Sequence, residues 1–400
     1  MQWHLITPEF PPQLGGVSDY TAQLADGLAS AGEEVHVWCP GSEGTSVAAS
    51  GVTIHRTFGA FAPADLKRAG SELDRFPQPR HLLVQWVPHG FGYRGMNVAF
   101  SRWLWQRARV NRDVVELMAH EAYLRFARNW RQCGAAFVQR LMTVFALRAA
   151  SRVWMSIPEW ESRFQPYVLG RRIPFYWLPI PSSIPVENDA NSIAAVKQRY
   201  SPRGEFLIGH FGTYGWPITS LLEPILTALA DPRPTVLLMG GESDTYRAKL
   251  IRNHPQMASY VHATGALVAR DISFHLAACD VMIQPYPDGA SSRRGSLMAP
   301  MAHGKAVVTT SGTLTAQFWK ESDALAMAPA GEPEKFVKLV RRLEENPEER
   351  RRLGQMAAAM YKQRFDISQI IERLRESKIQ SANSLNEREI VAGYELNRPS

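Results

Sequence analysis

The chain has 400 residues, of which 45% are hydrophobic and 21% are charged, and three cysteines that lie far apart. This composition is ordinary for a soluble globular enzyme of two or three domains and excludes a disulfide-rich protein. The cysteines show no metal-ligand or redox spacing, which favours a reduced, cytoplasmic compartment. Neither an apolar run of about 18 residues nor a basic leader is present, so the sequence predicts no membrane-spanning helix and no secretory signal.

The net charge of +7 is concentrated in one region. Residues 94–152 hold eleven arginines, no lysine and three acidic residues, a surplus of eight positive charges. Aromatic residues are interleaved with the arginines, for example Trp103, Trp105 and Trp130. Such a region fits contact with nucleic acid, an anionic membrane or an acidic acceptor, and it equally fits a set of solvated helix faces.

The N-terminal elements predict a βαβ unit and hence a parallel sheet. Residues 3–6 form an apolar strand, residues 17–31 carry apolar side chains at helical spacing, and residues 35–38 form a second strand. Gly15 and Gly16 lie at the start of the helix. Glycines at this position let backbone N–H groups approach a ligand, so both are candidate binding residues; a plain tight turn is the alternative.

Two further strands end in side chains suited to a binding site. The strand at 81–86 ends in Trp86, and His89 and Tyr93 follow in the next loop. These rings are suited to stacking on a ligand, although aromatic residues there are as often part of a core.

The strand at 114–118 leads to His120 and Glu121. Open parallel sheets bind ligands at the carboxyl ends of their strands, so His120 is a candidate site residue, with a structural histidine as the alternative. A helix is predicted over residues 124–150, in two pieces if Gly134 interrupts it, and a strand over residues 152–155.

A proline-rich segment at residues 178–185 predicts a connection between two domains. The same order of elements then begins again, and two α/β domains in tandem place a cleft between their sheet edges. The predicted strands are 206–209, 236–239, 261–265 (with a turn), 281–283 and 306–308. The predicted helices are 219–229, 271–278, one ending at Gly304, 333–345, 347–365 and 367–379.

Residues 285–304 carry the strongest binding signal. This segment leaves a predicted strand, turns at Asp288 and Gly289, and enters a helix. At the helix start stand Ser291, Ser292, Arg293 and Arg294. Helix N-termini present unpaired N–H groups and partial positive charge, so these residues predict an anion site with phosphate as the expected ligand. A capped helix with two solvated arginines is the alternative.

Several short motifs follow one another along the chain, at Pro11–Pro12, Gly15–Val17, Tyr20, Leu24–Ala25, His120–Glu121, 209–213, 276–285 and 301–308. In this order they resemble the motifs of family-4 retaining glycosyltransferases. The resemblance implies the GT-B architecture, two Rossmann-like α/β domains whose parallel sheets face a central cleft. It implies an acceptor domain at residues 1–180, a donor nucleotide-sugar domain at 181–362 and a terminal helix crossing back at 363–379. A flexible tail is expected at 380–400.

The segment departs from the family at two places. The family usually carries two glutamates eight positions apart, and Ser291 and Ala299 stand at those positions here. The family's Arg and Lys after the first strand of the second domain are also missing. We therefore expect Asp288 to accept hydrogen bonds from sugar hydroxyls. Arg293 and Arg294 are expected to neutralise the diphosphate charge.

The resemblance implies transfer of a sugar from a nucleoside-diphosphate sugar to an acceptor hydroxyl with retention, in polysaccharide or glycoconjugate biosynthesis. The alternatives are a non-catalytic GT-B protein and a nucleotide-sugar epimerase. The predicted catalytic residues are His120, Asp288 and Arg293. The predicted donor-binding residues are Gly15, Gly16, Gly212, Thr213, Gly289, Ala290, Ser291, Ser292, Arg294 and Ser296. The predicted acceptor-binding residues are Trp86, His89, Tyr93 and Glu121.

No metal or other cofactor is predicted, because arginines and helix dipoles can neutralise the diphosphate. The expected partners are the nucleotide-sugar donor and a sugar or lipid-linked sugar acceptor. The basic region adds an anionic membrane surface to the expected partners, and nucleic acid is not expected. The predicted location is the cytoplasm, with peripheral attachment at the inner face of the membrane.

Overall fold

The computed structural model describes residues 2–377 except 14, 42, 43, 49, 128 and 230–233. Within these residues the strands form two sheets, one of eight strands and one of six. Apart from one antiparallel edge pair, every strand pair is parallel. The predicted α/β class with two Rossmann-like domains is confirmed.

The first sheet has the strand order β3-β4-β2-β1-β5-β6-β7-β8. Its strands are β1 (Gln2–Ile6), β2 (Glu34–Cys39), β3 (Gly44–Val47), β4 (Thr53–Arg56), β5 (His81–Trp86), β6 (Val114–Ala119), β7 (Ala150–Met155) and β8 (Phe175–Trp177). The helices around it are α1 (Gly16–Ser30), α2 (Pro63–Leu73), α3 (Val98–Arg109), α4 (Trp130–Ala149) and α5 (Trp160–Phe164).

The second sheet has the order β11-β10-β9-β12-β13-β14. Its strands are β9 (Leu207–Phe211), β10 (Thr235–Met239), β11 (Val261–Ala263), β12 (Val281–Gln284), β13 (Ala306–Ser311) and β14 (Ala326–Pro329). The associated helices are α6 (Ala190–Tyr200), α7 (Trp216–Ala228), α8 (Ser243–Asn253), α9 (Ala269–Ala278), α10 (Gly295–Ala302), α11 (Gln317–Glu321), α12 (Pro333–Glu345) and α13 (Pro347–Arg364).

Each sheet is buried on both faces. On β1, Ile6 belongs to one apolar cluster and its neighbour Leu5 to another, because successive side chains of a strand point to opposite faces. Leu207 and Ile208 on β9 divide in the same way. Burial on both faces explains why the strands read as continuous apolar runs, which made them recognisable in the sequence.

Residues 367–377 form a last helix, which we call α14. Its Ile370, Ile371 and Leu374 pack in the cluster that covers one face of the first sheet. Arg375 adds an ion pair of 2.9 Å to Glu33. The domain limits 1–180, 181–362 and 363–379 stay predictions, and the tail predicted at 380–400 lies outside the described residues. Among the described residues, no helix combines the length and apolar character needed to cross a membrane.

The helix predicted over residues 124–150 needs correction. Helix α4 begins at Trp130 and continues through Gly134 without a break. The chain before it is irregular because side chains satisfy its backbone groups. Gln139 Oε1 accepts from the Leu124 N–H at 2.9 Å, and Arg140 donates to the Leu124 carbonyl at 2.9 Å. The sequence also missed short or polar elements: β3, β4, β8, β14, α2, α3, α5, α6, α8 and α11.

Buried histidines make stability depend on pH. Burial lowers the pKa of His210, at the end of β9, to about 4, and its Nδ1 lies 2.9 Å from the Ile283 carbonyl. The unfolded chain binds the proton more readily, so this contribution is complete above about pH 6.5 and declines by about 3 kcal/mol as the pH falls to 4. For His210→Gln, urea unfolding between these values should show a slope shallower by about 1.4 kcal/mol per pH unit. An unchanged slope would show that His210 does not contribute.

Candidate active site

The two sheets meet at a cleft with a volume of about 360 Å³. In each sheet the order in which successive strands are added reverses between two neighbouring parallel strands. These are β1 and β5 in the first sheet and β9 and β12 in the second. Ligands of open α/β sheets bind outside the carboxyl ends of such strands. The cleft is lined by Glu9, Gly15, Gly16, Val17, Asp19, Tyr20, Gln23, Val87, His89, His120, Glu121, Ile180, Pro181, Ser183, Arg293 and Gly295.

A carboxylate covers the N-terminus of α1. Glu9 Oε1 accepts hydrogen bonds from the backbone N–H groups of Val17 and Ser18, both at 3.0 Å. Gly15 and Gly16 line the cleft. The N–H groups that follow them, those of Val17 and Ser18, are already bound by the Glu9 carboxylate. A phosphate placed beside Glu9 would be repelled by its charge. The predicted donor contact at Gly15 and Gly16 stays a prediction, but the Val17 and Ser18 N–H groups are not free to take part in it.

Gly15 leaves room for the Glu9 side chain. A Cβ atom at Gly15 would overlap Glu9 Oε1 and lie 2.6 Å from Cδ, whereas nothing lies within 4 Å of one at Gly16. We expect Gly15→Ala to displace the carboxylate and lower the free energy of unfolding by about 1–2 kcal/mol through loss of the helix cap. Gly16→Ala is the matched control and should keep or raise stability. Urea unfolding compares the two variants, and equal values would contradict the role assigned to Glu9.

His120 is held firmly at the end of β6. Its Nε2 lies 2.8 Å from Gln85 Oε1, and its ring meets the Tyr20 ring edge to face at 4.9 Å. Burial lowers the pKa of His120 to about 4, although the neighbouring Glu121 carboxylate acts in the opposite direction. His120 is therefore a neutral imidazole at neutral pH.

Glu121 connects both walls of the cleft. Its carboxylate lies 3.3 Å from His89 Nδ1 and 3.5 Å from Arg293 Nη1, which belongs to the second domain. Burial raises the pKa of Glu121, but His89 and Arg293 outweigh this effect and hold it below the ordinary value. The hydrogen bond to Glu121 raises the pKa of His89 despite burial. Glu121 and His89, both predicted acceptor-binding residues, line the cleft.

Arg293 and Arg294 are paired with the same carboxylate. Each donates to one oxygen of Asp288, at 2.5 Å. Burial raises the pKa of Asp288, but Arg294 and then Arg293 reverse this and lower it. Arg293 lines the cleft, whereas Arg294 is not among the lining residues and lies over the Tyr286 ring at 4.8 Å. Both arginines were expected to neutralise the diphosphate, but only Arg293 lines the cleft, and Asp288 orients both of them.

The start of α10 adds a second positive feature beside Arg293. Its N-cap residue Arg294 makes no side-chain capping bond, and Gly295 lines the cleft. Ser296 is bonded to the Tyr286 hydroxyl at 2.8 Å. Gly212 lies close to it, since a Cβ at Gly212 would be 3.4 Å from Ser296 Cβ. Thr213 is exposed in the same loop.

The middle of the predicted donor loop is packed away from the cleft. Ala290, Ser291 and Ser292 are at most 1% exposed. Ser292 Oγ donates to the Ser156 carbonyl at 2.6 Å and accepts from Trp177 Nε1 at 3.0 Å, so it joins the two domains. Gly289, with φ of 84°, makes a turn that an L side chain rarely adopts. The side chains of Ala290, Ser291 and Ser292 are therefore buried and do not line the cleft, contrary to their donor-binding prediction, whereas the prediction for Gly289 stays a prediction.

Trp86 also needs correction. Its side chain is 1% exposed and packs in the core of the first domain, near the Phe91 ring at 5.9 Å. A tryptophan at a strand end serves the core when the following loop folds back over it. The side chain of Tyr93 lies outside the described part of the structure, so its predicted acceptor contact stays a prediction.

Several cleft residues were missed in the sequence. Glu9 and Asp19 add carboxylates to the wall of the first domain, and burial, together with Glu9, raises the pKa of Asp19. Gln23 donates to the Ser182 carbonyl at 2.8 Å, which fastens α1 to the interdomain connection. The only available signal was the spacing of Asp19 and Gln23, one helical turn apart at the start of α1.

The cleft therefore has two chemically different walls. The first domain contributes Glu9, Asp19 and Glu121, and the second contributes Arg293 and the start of α10. Carboxylates accept hydrogen bonds from sugar hydroxyls, and an arginine beside a helix N-terminus suits a phosphate. Within the described ranges, no group of three or more His, Cys, Asp or Glu side chains is arranged to hold a metal ion.

This architecture, two Rossmann-like domains with a cleft between their sheet edges, is the GT-B fold. Residues 206–346 match the family described as glycosyl transferases group 1. This match lies within the second domain and agrees with the glycosyltransferase resemblance of the sequence. A search of curated proteins finds no match to this chain.

Solved structures share the fold over nearly the whole chain. Sucrose-phosphate synthase from Thermosynechococcus elongatus is 15% identical, with a TM-score of 0.74, 96% of this chain and 99% of that chain covered. HepE from Anabaena, solved with UDP and glucose, is 16% identical, with a TM-score of 0.68 and coverages of 95% and 100%. WaaG, a glycosyltransferase involved in lipopolysaccharide biosynthesis, is 14% identical, with a TM-score of 0.60 and coverages of 93% and 98%.

Proposed function

We propose that this protein transfers a sugar from a nucleoside-diphosphate sugar to an acceptor hydroxyl, with retention of the anomeric configuration. The observation that carries the proposal is the division of the cleft into a carboxylate wall and an arginine wall. Arg293 and the start of α10 bind the diphosphate, and the first domain binds sugar hydroxyls. HepE, which shares the fold, was solved with UDP and glucose, which supports a nucleotide-sugar donor.

The chemistry follows from the position of the positive groups. Departure of the nucleoside diphosphate leaves positive charge on the anomeric carbon and negative charge on the phosphate oxygens. Arg293 and the α10 N–H groups stabilise the leaving group, the kind of fixed electrostatic stabilisation that supplies much of an enzyme's rate enhancement. Neutral His120 lies on the opposite wall and contacts the donor sugar, and the partly buried Asp288 holds Arg293 in place.

The acceptor is a sugar or a lipid-linked sugar, used in polysaccharide or glycoconjugate biosynthesis at the inner face of a membrane. WaaG supports this class, since its name places it in lipopolysaccharide biosynthesis. His89 and Glu121 lie on the cleft wall of the first domain, where the acceptor hydroxyl would approach.

The test is incubation of the protein with a nucleotide-sugar panel, with and without a panel of sugar acceptors. NMR of the product should show the anomeric configuration of the donor, and an inverted linkage would contradict retention. Donor alone should yield no isomerised sugar. An isomerised sugar without acceptor would identify an epimerase, and unaltered donor with every acceptor would favour a binding protein.

We also propose that transfer needs no metal ion, because Arg293 and the start of α10 neutralise the diphosphate. Treatment with excess EDTA followed by desalting should leave the transfer rate unchanged. Restoration of a lost rate by Mg²⁺ or Mn²⁺ would contradict this proposal.

A further inference from the structure

The outer face of α4 is apolar and has no partner among the described residues. Trp130, Phe137 and Leu141 follow one another at helical spacing and are 77%, 65% and 39% exposed. The opposite face, which includes Ala136, Met142 and Ala146, is buried against the first sheet. A surface helix normally has polar side chains on its outer face. An exposed apolar stripe of this kind marks a surface that contacts a protein partner or a membrane.

The irregular segment before α4 extends this surface toward the cleft. Phe126 and Leu124 are exposed, and the Arg140 guanidinium lies over the Phe126 ring at 3.9 Å. Arg140 also donates to the carbonyls of Leu124 and Ala136, which fixes the segment against the helix. The chain reaches Glu121, on the cleft wall, immediately before this segment.

The acidic residues of the region do not face this surface. Asp113 is buried between Arg80 and Arg107, Glu116 accepts from Trp154 Nε1 at 2.7 Å, and Glu121 lies in the cleft. The arginine surplus is therefore left on the outside. Among the residues that the structure describes in α3, α4 and the segment between β6 and α4, the exposed arginines are Arg102, Arg109, Arg125, Arg131 and Arg148.

We infer that the surface made by residues 124–126 and the outer face of α4 docks on an anionic lipid bilayer. Its apolar centre enters the headgroup region, and the arginines beside it contact lipid phosphates. Nucleic acid would require positive charge at the centre of the surface, where Phe137 and Leu141 stand instead. This docking brings the cleft close to the membrane. The inference deepens the proposed function and rests on it for the lipid-linked acceptor, whereas docking itself needs no donor.

Sedimentation with vesicles tests the inference in the absence of any sugar donor. The full chain should bind phosphatidylglycerol–phosphatidylcholine vesicles at low salt, and bind pure phosphatidylcholine or high-salt samples much less. The double variant Trp130→Ala/Phe137→Ala should bind about tenfold or more weakly, and Arg125→Gln/Arg131→Gln should lose a similar factor together with part of the salt dependence.

Matched controls come from the second domain. Trp216 is also 77% exposed, so Trp216→Ala should leave vesicle binding unchanged, as should Arg351→Gln/Arg352→Gln on α13. The inference would be overturned if the full chain did not bind vesicles, or if the control variants lost as much vesicle binding as the surface variants. Binding to an oligonucleotide but not to vesicles would also overturn it. If vesicles bind but no nucleotide sugar does, docking stands and the proposed function fails; the reverse outcome overturns docking alone.

Discussion

Replacing Arg293 by alanine is expected to lower kcat/KM for the donor by about 10²–10³ and to weaken donor binding by at least about tenfold. Arg293 is the arginine that lines the cleft, beside the uncapped start of α10. On the proposed function, its removal takes away the positive charge that binds the diphosphate. It also leaves Glu121 without its partner in the second domain. Calorimetric titration and initial rates measure the two effects separately.

Arg294→Ala is the matched control for this prediction. Both arginines bind Asp288, but Arg294 lies over Tyr286 and not in the cleft. We expect Arg294→Ala to cost less than about tenfold, since Asp288 keeps Arg293 as a partner. Equal losses in the two variants would contradict the division between a binding arginine and a supporting one. Unchanged donor affinity in both would remove the phosphate site from this loop.

Replacing His120 by alanine is expected to lower kcat by about 10²-fold or more, with unfolding temperature as the check on folding. The imidazole lies on the wall opposite Arg293, and its position is fixed by Gln85 and Tyr20. On the proposed function, loss of the ring removes a polar contact to the donor sugar and leaves a cavity that water can enter. Gln85→Leu should reduce kcat less, because it changes the orientation of the ring but keeps it.

The pKa of His120 gives this prediction a second readout. Burial lowers it to about 4, so the imidazole stays neutral from about pH 5.5 upward. The rate should therefore show no acid limb near pH 6.5 that belongs to His120. An acid limb near that pH in the wild type that disappears in His120→Asn would contradict a neutral His120.

Much of the fold was predictable because its strands are buried on both faces. Apolar runs such as residues 81–86 and 281–283 lie within β5 and β12, and the glycines after β1, Gly15 and Gly16, line the cleft. The elements that were missed are short or polar, and their stability comes from tertiary packing that a local pattern does not contain. The start of α4 was misplaced because side chains of the helix itself, Gln139 and Arg140, satisfy the backbone before it.

The site was less predictable, because it depends on contacts between distant residues. His120, Glu121 and Arg293 could be identified from strand ends and a helix start. That Glu9 folds over Gly15 to bind the N-terminus of α1 depends on the path of the loop between them. Ser292 looks like a phosphate ligand in the sequence, but it binds Ser156 and Trp177 of the first domain. No local pattern distinguishes these two uses of a serine.

The carboxylate wall offers a physical substitute for the missing glutamate pair. Ser291 and Ala299 stand where the resemblance would place the two glutamates, and both are at most 1% exposed. Glu9, Asp19 and Glu121 bring carboxylates to the same cleft from the opposite domain. Sugar recognition would then depend mainly on the first domain, with the diphosphate bound by the second.

The central claim is that the arginine wall binds the diphosphate of a nucleotide sugar. Thermal unfolding in the presence of UDP-, GDP-, ADP- and dTDP-sugars tests this claim most directly. The account predicts that one nucleotide series raises Tm, since a ligand at 100 times its Kd stabilises the fold by about 2.7 kcal/mol. The increase should be lost in Arg293→Ala and kept in Arg294→Ala. No change in Tm with any nucleotide sugar, or an equal increase in Arg293→Ala, would contradict the claim.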